Sequence, residues 1–271
     1  VNPSFNIQAP GIYFDTAQLF VEAGPSGISY VIMNTGNYFQ AVVTYSFPDK
    51  INDAHLKKIF QNDELLQKKY LKTHIIWSYP ESILVPPELL NEEGNIEMLD
   101  LIYGDSGTGI IKSDFIYKHN LHNIYRIPET ILESFEAKFP YATQTHQYSL
   151  LVNRKMKDED GLFVVFYTNS LTMMLCKEGR LQVIQNFEYS NPDDSAYHLL
   201  NACKSFDVMP NQVKLHISGL IDEKSSLYAA IYKYFLHVEF DKLNSDLSLA
   251  EGIKNYPLHF FSHLFYQASC V

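Results

Sequence analysis

Between Leu19 and Phe47 the apolar residues gather in three short β-rich runs, LFVEAG, ISYVIMN and YFQAVVTYSF, parted by the turn-formers PSG and TGN. That pattern predicts a meander of three antiparallel strands. It returns from Leu162, where LFVVFYTNSLTMMLCKEGRLQVIQNFEY holds three more runs parted by TNS and EGR. At the offset of 143 residues that sets Leu19 on Leu162, Gly36 falls on Gly179 and His55 on His198. A helical period follows each meander. The first is INDAHLKKIFQNDELLQKKY, with Asn52 or Asp53 as its cap, and the second is NPDDSAYHLLNACKSF, whose Pro192, Asp193 and Asp194 suit a first helical turn. Each helix leads into a short apolar strand, HIIWSY and then VKLHISG. The second half goes on to a helix EKSSLYAAIYKYF, a strand HVEF and an amphipathic close, PLHFFSHLFYQ.

The predicted order is therefore βββαβαβα, written twice, an α/β chain with an internal duplication. Ribonuclease-H-like domains have this order, and the actin-like ATPase superfold is built from two of them. The expected division is 1–157 and 158–271. The first half is the longer, and its surplus falls at about 80–127 as an inserted hairpin region. Two similar five-stranded sheets are expected, with His146 to Met156 and Pro257 to Gln267 as equivalent closing helices. Within the surplus, YGDSGTG stands between MLDLIY and GIIKSDFIY, both read as strands, so it is expected to be an exposed hairpin loop. Its GDSG does not make Ser106 a protease nucleophile, because no two-barrel protease pattern supplies a base or an oxyanion hole. No GxxxxGK[ST] stretch is present either.

Four stretches carry a family resemblance: ILVPPELL, NIYRIPETILESFEAKFP followed by THQYSLL, NFEYSNPDDSAYHLLNAC, and HISGLIDEKSSLYAAIYKYF. They resemble an uncharacterised bacterial family catalogued as a domain of unknown function, and cover most of the chain from about residue 80 onward. The resemblance implies two actin-like subdomains with a cleft between them. It brings no catalytic residue.

Active members of that superfold open each meander with an Asp-x-Gly-like turn, whose N–H groups wrap phosphates and whose carboxylate organises Mg²⁺. Here the first turn reads Glu22-Ala23-Gly24-Pro25-Ser26-Gly27. Glu22 stands for the carboxylate and Ser26 for a phosphate contact, but Pro25 has no N–H to give. The second turn, Phe166-Tyr167-Thr168-Asn169-Ser170, has no carboxylate and no glycine. Of an adenosine-contacting Gly-Gly, only Gly219 remains, in Ser218-Gly219-Leu220. The expectation is a degenerate site without a cofactor. The alternative is ATP with Mg, bound through Glu22, Gly24, Ser26 and Gly219.

Charge narrows the partners. With 21 basic and 31 acidic residues the net charge is −10, which repels phosphodiester backbones, so nucleic acid is not expected. A nuclease reading would need carboxylates along the strands, which hold almost none. Cys176, Cys203 and Cys270 form no CxxC pair and are expected to be buried thiols of a reducing compartment. The start lacks a basic then apolar leader, and no apolar run spans a bilayer, so a cytoplasmic chain without membrane insertion is expected.

Two histidine pairs have ligand-like spacing, His259 with His263 and His119 with His122, but no HExxH or carboxylate accompanies them. Partly buried histidines with satisfied nitrogens are expected, and no metal. His146 is expected to bridge a buried junction where the chain crosses between subdomains. Asp193 and Asp194 serve the helix start rather than acid–base chemistry, and Tyr228, Ile231 and Phe235 form a core stripe beside Tyr232. The functional expectation is a non-catalytic interaction or adaptor module with a protein partner. An ATP-binding protein or slow ATPase is the alternative.

Overall fold

The structure is a computed structural model that describes residues 1–104, 108–153 and 160–270. In chain order the elements are β1 Phe5–Gln8, β2 Ala17–Gly24, β3 Gly27–Asn34, β4 Tyr38–Ser46, α1 Asp53–Asn62, β5 Lys72–Trp77, β6 Ser82–Val85, α2 Glu92–Tyr103, β7 Ile110–Ile116, β8 Leu121–Ile127, α3 Glu129–Lys138, β9 Thr143–His146 and α4 Gln147–Asn153. They continue as β10 Gly161–Phe166, β11 Ser170–Lys177, β12 Arg180–Glu188, α5 Pro192–Ser205, β13 Lys214–Gly219, α6 Ser226–Tyr232, β14 His237–Phe240, β15 Ser248–Leu249, α7 Glu251–Lys254 and α8 Ser262–Ser269. The chain divides into two compact units. One holds Val1–Arg154, Asp246–Ile253 and Gln267–Val271, the other Lys155–Ser245 and Lys254–Tyr266.

In the first unit the main sheet runs β1-β4-β3-β2-β5-β9, with β15 also on β4. The meander β2–β4 is antiparallel, while β5 and β9 run parallel to β2. Leu19, Val21 and Ala23 point to one face and meet Leu56, Ile59 and Phe60 of α1 and Ile131, Leu132 and Phe135 of α3. Ring contacts lock this layer, with Phe135 edge-on to Phe60 at 5.3 Å and to Trp77 at 5.1 Å. Helix α1 starts where Asn52 Oδ1 accepts from the His55 N–H (3.0 Å). It stops at Asp63, whose carboxylate takes the hydroxyls of Tyr30 (2.7 Å) and Tyr45 (2.8 Å) and the N–H groups of Leu65 and Leu66.

The second unit has a five-stranded sheet, β12-β11-β10-β13-β14, antiparallel in its meander and parallel from β10 to β14. Its core joins Leu162, Val164 and Phe166 of β10 to Leu199 and Cys203 of α5 and Ile231 of α6. A capping box opens α5. Asn191 Oδ1 accepts from the Asp194 N–H and the Asp194 carboxylate accepts from the N–H groups of Ser190 and Asn191. Asp194 is thereby held below the usual carboxylate range, chiefly by the Ser190 N–H.

The duplication extends to ring stacking. Phe20 lies over His74, its register partner across β2 and β5, at 4.7 Å and 10°. Phe163 lies over His216 across β10 and β13 at 4.7 Å and 9°. The two helix histidines set against each other by the repeat, His55 and His198, stack on Phe47 and Phe187.

Several expectations are corrected. The first sheet has seven strands rather than five, because β1 and β15 add to β4. MLDLIY is not a strand but the end of α2, which Gly104 closes at φ 84. The element before β7 is therefore a helix, where a strand was expected. Ser106 itself lies outside the described residues. The surplus carries β6, α2, β7 and β8, a three-stranded sheet in the order β6-β8-β7 with its own small core of Val85, Leu99 and Ile124. His146 ends a strand rather than starting a helix, so the first closing helix is Gln147–Asn153. The second begins at Ser262, after a short 3-10 turn over Leu258–Phe260. Cys176 and Cys203 are buried and in no disulfide, with burial pushing their thiols up to about 12 and about 11. Cys270 is exposed.

Candidate functional site

Glu22, Gly24 and Ser26 lie together in the first unit, at the tip of the hairpin between β2 and β3. Gly24 pairs with Gly27, which leaves Pro25 and Ser26 as a two-residue turn. The turn's carbonyls are already committed inside the unit, Pro25 O to the Ile51 N–H (2.7 Å) and Ser26 O to the Phe47 N–H (2.8 Å). Glu22 is buried in β2, beside Ser29 of β3 and Ile76 of β5. Gly24 faces Ser78, whose carbonyl oxygen would lie 3.3 Å from an added Cβ. Gly27, at φ 149, is demanded by the backbone, since a Cβ there would collide with the Tyr45 carbonyl oxygen.

Gly219 belongs to the second unit, at the end of β13. It pairs with Phe166 of β10, and its φ is 84. An added Cβ would strike the Phe166 carbonyl oxygen and stand 2.8 Å from the Phe166 nitrogen. That carbonyl also accepts the Leu220 N–H (2.8 Å). In the turn after β10, the Tyr167 N–H donates to Ser170 O (2.8 Å), and the Tyr189 hydroxyl donates to Tyr167 O (2.6 Å). The backbone there is occupied by its own strand ends. The same backbone approaches that fix these glycines need no ligand.

A second polar cluster, of which the sequence singled out only His146, sits in the first unit. Asp114 of β7 accepts through Oδ2 from Thr145 Oγ1 (3.0 Å), the His146 N–H (2.7 Å) and Ser149 Oγ (2.7 Å), and through Oδ1 from the Tyr125 hydroxyl (3.1 Å). Ser149 Oγ also accepts from Asn123 Nδ2 (3.0 Å), and Ser82 Oγ donates to Asn123 Oδ1 (2.6 Å). His146 is fully buried. Its Nδ1 accepts from the Tyr148 N–H (3.1 Å), so Nε2 carries the proton and donates to Tyr79 O (2.9 Å).

Serine, histidine and aspartate thus meet, yet not as a nucleophile relay. The Ser82 hydrogen goes to Asn123, and Asp114 holds the His146 backbone rather than its ring. The cluster ties the inserted strands β6, β7 and β8 to β9 and α4. Sequence offered two signals for it, His146 expected at a buried junction and a carboxylate inside a strand, the Asp of IIKSDFI.

The other histidines have unlike partners. His259 Nε2 bonds Ile221 O (2.7 Å) with its ring against Phe240 (4.0 Å), while His263 is buried edge-on to Tyr167 (5.7 Å). His119 reaches Val152 O and His122 reaches Ser113. Among the described residues no group of three or more His, Cys, Asp or Glu side chains is placed to hold a metal ion.

Burial lowers His74 and His146 to about 4 and His263 to about 3, with Lys72 adding to the effect at His74. A folded-state pKa below the unfolded value near 6.5 means that the unfolded chain binds more protons between the two. Stability is therefore complete above pH ~6.5 and falls as pH drops toward ~4. Urea unfolding at pH 7.5 and 5.0 should differ by about 2 kcal/mol for each of these three rings, less stable in acid. Equal midpoints at the two pH values would mean these rings are hydrated in the folded chain.

The profile of a family described as "Protein of unknown function (DUF3822)" matches residues 14–238. No curated protein matches the chain. Among solved structures, the chain is similar to a protein of Bacteroides thetaiotaomicron VPI-5482 described as having an actin-like ATPase fold and unknown function. Identity is 19% and the TM-score 0.71, over 87% of this chain and 97% of that one. It is also similar to a chain of the PilM-PilN type IV pilus biogenesis complex (12% identity, TM-score 0.61, covering 95% and 97%). A third likeness is to the ethanolamine utilization protein EutJ from Carboxydothermus hydrogenoformans (9% identity, TM-score 0.53, covering 98% and 93%). At such identities the likeness is one of fold. No helix among the described residues is long and apolar enough to cross a membrane.

Proposed function

We propose, from the premise that this chain belongs to the DUF3822 family of unknown function and has the actin-like ATPase fold, that it is a non-catalytic interaction module whose nucleotide loops have decayed. The observation that carries this reading is the committed state of both loops. Gly27 and Gly219 are required by close approach to the Tyr45 and Phe166 carbonyls, Pro25 offers no N–H, and the second turn, Tyr167-Thr168-Asn169, offers neither a carboxylate nor a glycine. Glycines kept for backbone packing need no phosphate to explain them. The PilM-PilN complex supports the partner half of the proposal, since there a chain of this fold belongs to a complex with another protein. A protein partner, rather than a nucleic acid, also suits a net charge of −10.

The second reading rests on Glu22, a carboxylate buried in β2 three residues before Pro25 of the turn. If it organised Mg²⁺, ATP would bind through Glu22, Gly24, Ser26 and Gly219. Thermal unfolding with and without Mg·ATP separates the readings. A ligand at about a thousand times its Kd adds about 4 kcal/mol, several degrees in Tm. We expect millimolar Mg·ATP to shift Tm by no more than matched sulfate does. A specific shift of several degrees, abolished by Glu22→Ala, would replace the proposal with the second reading. Affinity capture followed by reconstitution with the purified protein tests the partner half, which fails if no captured protein binds the purified chain.

A further inference from the structure

The two meanders share a detail finer than their common order. β4 and β12 are both nine residues long, and each is bulged at its third residue. On β4, Ile32 pairs with Ala41 and Met33 with Phe39, so Gln40 is skipped. On β12, Leu175 pairs with Val183 and Cys176 with Leu181, so Gln182 is skipped. The outer edges then differ. β4 is covered on both sides of its bulge, by β1 at Ala41–Thr44 and by β15 at Tyr38 and Phe39. β12 ends its sheet, and among the described residues no strand adds to it. Its interior residues are all partly exposed, between an exposed Arg180 and an exposed Glu188. An unpaired edge of that length is a template for another strand.

We propose that the edge of β12 pairs with β12 of a second copy of this chain, antiparallel about a two-fold axis at Ile184. The argument for a second copy is charge and side-chain complementarity. Read from either end, RLQVIQNFE presents the same chemistry about its centre. Antiparallel pairing sets Arg180 of each copy by Glu188 of the other, Leu181 by Phe187, Gln182 by Asn186, and Ile184 by itself. Only Val183 with Gln185 is unmatched. Opposite charges and apolar pairs across strands stabilise such a register, and a two-fold makes every contact off its axis occur twice. Edge strands are ordinarily guarded by a charge in the middle; β12 has charges only at its ends, and of opposite sign. On β4 the same bulge is flanked by two different strands, β15 before it and β1 after it, so it leaves both of its flanks open to pairing. This interface is independent of the nucleotide loops.

Sedimentation velocity on the whole chain should show a monomer–dimer equilibrium with Kd on the order of 10 µM, the weak end expected of a single strand pair. Arg180→Glu should raise that Kd about tenfold, and adding Glu188→Arg to the same chain should restore it. A direct probe is Ile184→Cys in a Cys270→Ser background, which brings the two thiols within cross-strand reach. Oxidation should give a covalent dimer, whereas Met209→Cys, exposed elsewhere on the unit, should not. Circular dichroism of each variant checks that it is folded. A monomer up to ~200 µM would overturn the proposal. So would a dimer that ignores Arg180→Glu and does not cross-link at Ile184→Cys.

Discussion

Gly219→Ala is expected to cost about 3–5 kcal/mol, enough to unfold much of the second unit at temperatures where the native chain is intact. Two causes add. At φ 84 an L side chain is strained by about 1–2 kcal/mol. The new methyl also meets backbone, the Phe166 carbonyl oxygen and nitrogen, rather than a side chain that could turn away. β10 cannot retreat easily, because Phe166 O holds the Leu220 N–H and Phe166 itself is fully buried. Gly179→Ala is the control. Gly179 also has positive φ, at 67, but nothing lies within 4 Å of an added Cβ, so only the strain of about 1 kcal/mol remains. Urea midpoints of the two variants should therefore separate clearly. If Gly219 instead served a nucleotide, the alanine variant would keep its stability and lose ATP affinity.

Asp114→Ala should lose about 3–4 kcal/mol, with the inserted sheet released first. Removal of the carboxylate strips an acceptor from the Tyr125 hydroxyl, the Thr145 and Ser149 hydroxyls and the His146 N–H at once. Tyr125, His146 and Ser149 are buried, so water cannot replace the lost partner without opening the site. Asp114→Asn retains one acceptor oxygen and should lose about half as much. The readout that locates the effect is limited proteolysis, with new cleavage expected between residues 82 and 127 in the alanine variant. Stability within about 0.5 kcal/mol of native for both variants would show that the cluster is dispensable.

Sequence determined the repeated part of this protein. The β-rich runs of both meanders, the Asn52 cap, the Pro192 to Asp194 helix start and the strands HIIWSY and VKLHISG all formed as their local patterns require, because each carries its own turn or capping chemistry. Segments without such chemistry were decided by tertiary contacts. MLDLIY resembles a short strand when taken alone, but Asn91 caps the helix that contains it and Leu99 is drawn into the insertion's core. TQTH has no apolar alternation, and becomes β9 only because β5 offers it a parallel edge. On the edge of β4, FNIQ likewise becomes an antiparallel strand and Ser248–Leu249 a parallel one. The site shows the same division. Pro25 and the missing carboxylate of the second turn are properties of the chain. That Gly27 and Gly219 answer to the Tyr45 and Phe166 carbonyls, and that Asp114 gathers groups from three elements, depends on residues far apart in sequence. No local pattern encodes a close approach between distant backbones; only the completed sheets bring them together.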